Sequence, residues 1–129
     1  MTHGLALTDG DRWPWLRRVA FAASNVLNDT RAPCCIIACS ALKRNYRDIL
    51  RGVSARVYFV YLCVSPTCLH DRLARRDAHF MPKGLLQSQL DALEQPCVNE
   101  QDVFTVNVGK DDNMEMISDS VMNVVHGKV

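Results

Sequence analysis

Apolar residues return along this chain in two rhythms. From about Asp11 to Leu27, the positions Leu16, Val19, Ala20, Ala23 and Leu27 recur at the spacing of one helix face. Thr8 followed by Asp11 resembles a capping box, and Pro14 is tolerable only in a first turn. Asn28-Asp29-Thr30 and Pro33 then break the helix. The run Cys34-Cys35-Ile36-Ile37-Ala38-Cys39 is almost continuously apolar, which predicts a strand buried on both faces of a parallel sheet. After Ser40 the pattern predicts a helix from about Ala41 to Arg51. Leu42, Tyr46 and Ile49 form its apolar stripe, and Lys43, Arg47 and Arg51 a basic row at i, i+4 spacing.

The same alternation continues. Val57 to Val64 reads as a second buried strand, and Ser65-Pro66 fits the N-cap and first position of a helix. Leu69 and Leu73 face inward there, and Arg72 and Arg76, four apart, share another face. Ala78 to Pro82 breaks the pattern. A helix follows from about Lys83 to Glu94, with Leu86, Leu90 and Leu93 in register and Pro96 beyond its end. Val103 to Val108 predicts a third strand. Asp112 with Glu115 is expected to cap a last helix, whose buried stripe is Met114, Ile117, Val121 and Val124. The order α-β-α-β-α-α-β-α indicates one α/β domain over residues 1–129 with a parallel sheet. Three strands is few for such a sheet.

Composition narrows the classes of function. A hydrophobic fraction of 48% over 129 residues suffices for a core. A formal net charge of +1, without aromatic residues interleaved in a basic stripe, argues against nucleic acid as a partner. The longest apolar stretches are too short to span a bilayer, and the first residues do not read as a signal peptide, so a cytoplasmic location and no membrane partner are expected. The six cysteines are then expected to be reduced and mostly buried. Their spacing does not suit zinc, and no metal site is expected.

Ligands of open α/β sheets bind beyond the carboxyl ends of the strands. Two basic clusters fall there. In the first, Ser40 and the free amides of a helix start suit an anionic group, with Lys43 one turn in and Arg47 on the same face. The alternative is a helix cap with a solvated basic face. In the second, Arg72 and Arg76 offer one guanidinium to stack on a base and another to clamp phosphate. Ordinary surface arginines are the alternative. No Gly-x-x-x-x-Gly-Lys-Ser/Thr or Gly-x-Gly-x-x-Gly sequence occurs.

Several segments resemble one family. Leu7-Thr8-Asp9-Gly10-Asp11-Arg12-Trp13-Pro14-Trp15-Leu16 is similar to a stretch of gluconokinases. So are Cys39-Ser40-Ala41-Leu42-Lys43 with Tyr46-Arg47-Asp48, Arg72-Leu73 with Arg76 and His79-Phe80-Met81, Leu85-Leu86 with Ser88-Gln89, and Leu93-Glu94 with Pro96. The resemblance implies a P-loop kinase fold and transfer of the ATP γ-phosphate to the 6-hydroxyl of D-gluconate, with Mg²⁺. It places Ser40, Lys43 and Arg47 in the acceptor site, Arg72 on adenine and Arg76 at the phosphates. It also implies that the chain starts internally, about fifty residues short, more than one βαβ unit. The fold expected is therefore an incomplete P-loop kinase-like three-layer α/β fold. Its parallel sheet would lack its first two strands, including the central one, with the phosphate loop and the candidate base; no catalytic residue is assigned. In that family the strand at Cys34–Cys39 and the strand at Val57–Val64 flank the lost centre, about 9–10 Å apart. Such a chain is expected to turn over weakly or not at all. The alternative is a non-catalytic form that pairs with a full-length kinase or with itself.

Overall fold

The computed structural model describes residues 7–29, 31, 33–53, 55–76 and 83–127. Among them the elements are α1 (Asp9–Leu27), α2 (Arg44–Arg51), β1 (Phe59–Val64), α3 (Pro66–Ala74), α4 (Lys83–Ala92), β2 (Val103–Val108) and α5 (Met114–His126). They fall into two compact units. One reaches to Val57 and includes Asp91–Gln95, and the other comprises Tyr58–Leu90 and the chain from Pro96 on.

In the first unit, α1 starts as its sequence predicts. The Thr8 hydroxyl accepts from the Asp11 amide at 3.2 Å, and the Asp11 carboxylate accepts from the Thr8 amide at 2.8 Å. Two otherwise orphaned donors are thereby satisfied reciprocally. α1 packs against α2. Leu16 and Tyr46 have no exposed surface, and Ala23 and Leu50 are buried with them. Full burial of an apolar side chain such as Leu16 stabilises by about 1.5–3 kcal/mol.

The second unit is built on a parallel ladder. β1 and β2 pair in register from Phe59 opposite Val103 to Val64 opposite Val108. The Phe59 amide extends the ladder by donating to the Asp102 carbonyl at 2.9 Å. Along β2, Val106 and Val108 are buried while Thr105 and Asn107 are exposed, the period-two alternation of a strand covered on one face. α5 packs on β2. Ser65 caps α3 by accepting from the Cys68 amide at 3.2 Å, with Pro66 in the first turn, as expected.

Several expectations are corrected. The segment 34–40 forms no strand, and Ile36 is 93% exposed. A strand exists only where its amides and carbonyls find a partner, and among the described residues β1 and β2 pair solely with each other. The sheet therefore has two strands rather than three. Of the six cysteines, all free, only Cys68 is buried; Cys35, Cys39 and Cys63 are half-buried, and Cys34 and Cys97 are exposed. Helix α2 begins at Arg44 with an extended Lys43 as its N-cap, so Ser40 does not cap it. At the last helix the cap is Asn113, accepting from the Met116 amide at 2.9 Å, while Asp112 turns back to the Gly109 amide at 2.7 Å. Of that helix's predicted stripe, Ile117, Val121 and Val124 are half-buried and Met114 is 78% exposed. The break at Ala78–Pro82 lies outside the described residues.

Candidate functional site

The first basic cluster is organised by the start of α2. The Arg44 amide donates to the Glu94 carboxylate at 3.2 Å, and the Glu94 amide donates to the Leu42 carbonyl at 2.7 Å. The chain's own carboxylate thus meets the positive end of the helix. Arg47 is only 3% exposed, and its guanidinium donates to the Ala41 carbonyl at 3.0 Å. It braces the turn from which Lys43 projects. Ser40 is exposed on the irregular segment before that turn.

Lys43 reaches back to α1. Its Nζ lies 3.0 and 3.2 Å from the two carboxylate oxygens of Asp9, the first residue of that helix. The Tyr46 hydroxyl donates to the same carboxylate, and Arg12 Nη1 donates to the Tyr46 oxygen at 3.3 Å. The edge of Trp13 meets the Tyr46 ring at 5.3 Å and 87°. The bond from Tyr46, followed by that from Lys43, holds the Asp9 carboxyl below the usual carboxylate range. The Asp9 bond in turn raises Lys43. The side chains of Lys43 and Asp9 remain 27% and 44% exposed. Lys43 and Tyr46 thus form a two-donor seat for a carboxylate, open to solvent at one side.

Asp9 and Arg12 were not singled out by the sequence. They stand 34 residues from Lys43 and Tyr46 respectively, so no periodicity connects them. The signal available was that both segments carry the family resemblance.

The second cluster lies past the carboxyl ends of β1 and β2. Arg72, on α3, donates from Nε to Cys68 Sγ at 3.3 Å. Its Nη2 donates to the Gly109 and Asp112 carbonyls at 3.1 and 2.9 Å. These bonds lie in the guanidinium plane and pin the loop after β2, leaving the planar faces as the part able to stack on a ring. Arg76 is not brought to that loop by a continuing helix. α3 ends at Ala74 with Arg75 as its cap, and Arg76 is exposed beyond it.

One unit thus holds a parallel ladder with the Arg72 guanidinium past its carboxyl ends, and the other a helix pair that seats a carboxylate. Comparison with known proteins makes this specific. The chain is 40% identical over 111 residues to the thermosensitive gluconokinase of Escherichia coli. It is 36% identical to a probable gluconokinase of Schizosaccharomyces pombe, a match that takes in the whole chain. It spans 58% of the length of the first relative and 68% of the second. The crystal structure of a gluconokinase from Sinorhizobium meliloti superposes with a TM-score of 0.74 at 35% identity, over 98% of this chain and 70% of that one. An unliganded sugar kinase from Janibacter superposes at 0.83 with the same identity and coverage. No family model matches the chain. The chain belongs to the gluconokinase family.

Proposed function

We propose that Lys43 and Tyr46, on the turn that Arg47 holds and that follows Ser40, bind D-gluconate as the acceptor residues of a gluconokinase, and that Arg72 receives adenine. The observation that carries this reading is the seat itself. Lys43 and Tyr46 already hold a carboxylate, that of Asp9, in a position open to solvent. A sugar acid presents the same group, and an ammonium with a phenolic donor is a suitable receiver for it. Adenine is assigned to the faces of Arg72, whose edge is fixed by the loop after β2. The β1–β2 ladder is assigned to one part of a three-layer P-loop-type sheet.

Nothing among the described residues shows a seat for the phosphates of ATP or for Mg²⁺. The Arg72 donors Nε and Nη2 are already engaged by Cys68, Gly109 and Asp112. No three Asp, Glu, His or Cys side chains converge among the described residues. The 129 residues contain no Gly-x-x-x-x-Gly-Lys-Ser/Thr sequence. The 129-residue chain is accordingly assigned gluconate binding without measurable turnover. Calorimetric titration with potassium gluconate and an assay for ATP-dependent 6-phosphogluconate formation test both halves. Absence of gluconate binding overturns the first, and turnover within about tenfold of the E. coli enzyme, about 1.4 kcal/mol in barrier, overturns the second.

A second reading is favoured by Ile36 and Ile37, 93% and 44% exposed on a segment that forms no strand. It makes the chain a non-catalytic partner of a longer gluconokinase. Co-expression and size-exclusion chromatography with such a kinase test it, and absence of a mixed complex counts against it.

A further inference from the structure

The carboxylate in the Lys43–Tyr46 seat belongs to the chain, and its attachment is of a kind that can be released. Helix α1 does not depend on it. The reciprocal bonds of Thr8 and Asp11 secure the helix start independently of Asp9. Asp9 is the first helical residue, so its side chain can swing to solvent without breaking an intrahelical bond. Leaving would cost Lys43 its partner, because its ammonium is bonded to both Asp9 carboxylate oxygens. It would also leave the Tyr46 hydroxyl, buried beside the Arg12 guanidinium, without its acceptor. The exchange is therefore close to balanced only when a second carboxylate takes over the same donors.

We propose that Asp9 is an internal competitor at this seat: it occupies the Lys43–Tyr46 donors until an anionic ligand displaces it. The inference rests on the reading of Lys43 and Tyr46 as the sugar-acid site. Displacement makes the seat selective by charge. A sugar acid replaces both bonds that Asp9 gives up, whereas a neutral polyol would leave an ammonium and a phenol unpaired. A neutral sugar therefore leaves Asp9 in place and gains nothing from the seat.

The test is calorimetric titration of the 129-residue chain and its variants with potassium D-gluconate and, separately, D-glucitol, the uncharged analogue. Asp9→Asn and Asp9→Ser both remove the competing charge and leave the Thr8–Asp11 cap intact. Each is expected to tighten gluconate binding about five- to tenfold, the scale of a partly exposed ion pair with a charge-assisted bond. Glucitol affinity is expected to stay within about twofold, which separates competition from a general change in folding. Lys43→Met is expected to abolish gluconate binding. If Lys43→Met loses gluconate while Asp9→Asn and Asp9→Ser bind it equally or more weakly than the parent chain, Asp9 positions the lysine and the competitor is refuted. If Lys43→Met binds gluconate as the parent does, the site reading itself fails. If neither parent nor Asp9 variants bind gluconate, both are overturned.

Discussion

The Tyr46 hydroxyl is where residue-scale chemistry concentrates in this protein. It donates to Asp9, accepts from Arg12 and sits on a ring with no exposed surface. Removing only that oxygen strands a buried guanidinium donor and takes one donor from the carboxylate. Tyr46→Phe is expected to lower stability by about 1–3 kcal/mol, read as a fall in the urea midpoint at unchanged slope. A loss below about 0.5 kcal/mol would place the hydroxyl in water instead. The ion pair beside it carries a pH signature with a definite sign. Asp9 has a depressed folded pKa, so its contribution is present above the ordinary carboxyl value and lost as pH falls through the folded one. Lys43 has a raised folded pKa, so its contribution is complete below the ordinary lysine value and lost as pH rises through the folded one. The difference in Tm between the parent chain and Asp9→Asn is therefore expected to hold level from about pH 5 to 10 and to shrink outside that window. A difference centred instead near pH 6.5 would point to a histidine. Of this cluster, Lys43 and Arg47 were legible as cations on one turn. Their division of labour was not, because burial of Arg47 and the reach of Lys43 to α1 depend on how two helices pack.

At the scale of elements, helix ends were the most legible feature because their chemistry is local. Thr8 with Asp11, and Ser65 with Pro66, name their own caps within three residues. Thr8→Ala is accordingly expected to cost about 1 kcal/mol in thermal or urea unfolding, and no change would mean that the α1 start is held from elsewhere. Cys34 to Cys39 shows the opposite case. Its run is nearly continuously apolar like Val57 to Val64, yet among the described residues only the latter region finds a partner strand. Pairing is a non-local property, and hydrophobicity alone cannot supply the missing ladder. A direct contrast follows. Ile36→Thr is expected to change stability by no more than about 0.5 kcal/mol. Val106→Ala, at a buried position of β2, is expected to cost about 1–3 kcal/mol. A large cost at Ile36 would show that the segment is covered in solution. The shift of the α5 cap from Asp112 to Asn113 has an equally local cause. Both residues can cap, and Asp112 is taken by the Gly109 amide in the loop that Arg72 fastens.

For the molecule as a whole, the proposed sites would serve the two ligand classes of a kinase unequally. The sugar-acid seat lies within one compact unit, with its donors in place. The nucleotide side, within the other unit, offers the faces of one guanidinium, and that guanidinium's in-plane donors are committed to protein acceptors. Phosphate binding in kinases of this kind relies on a cradle of backbone amides and a lysine, each charge-assisted bond being worth about 1.5–3 kcal/mol. Several such bonds together exceed what one stacking contact of about 0.5–2 kcal/mol supplies. If this chain meets the nucleotide through adenine stacking on Arg72 alone, the triphosphate adds nothing to affinity. ATP and adenosine are then expected to bind this chain with dissociation constants within about threefold of each other, less than 1 kcal/mol apart. The E. coli gluconokinase, titrated alongside, is expected to favour ATP by more than about a hundredfold, or 2.7 kcal/mol. Arg72→Ala should weaken both ligands of this chain equally, and Arg72→Lys should not restore them, since an ammonium has no planar face. A strong preference of this chain for ATP over adenosine would reveal a phosphate site that the proposed reading does not include, and the separation of sugar-acid binding from turnover would fall with it.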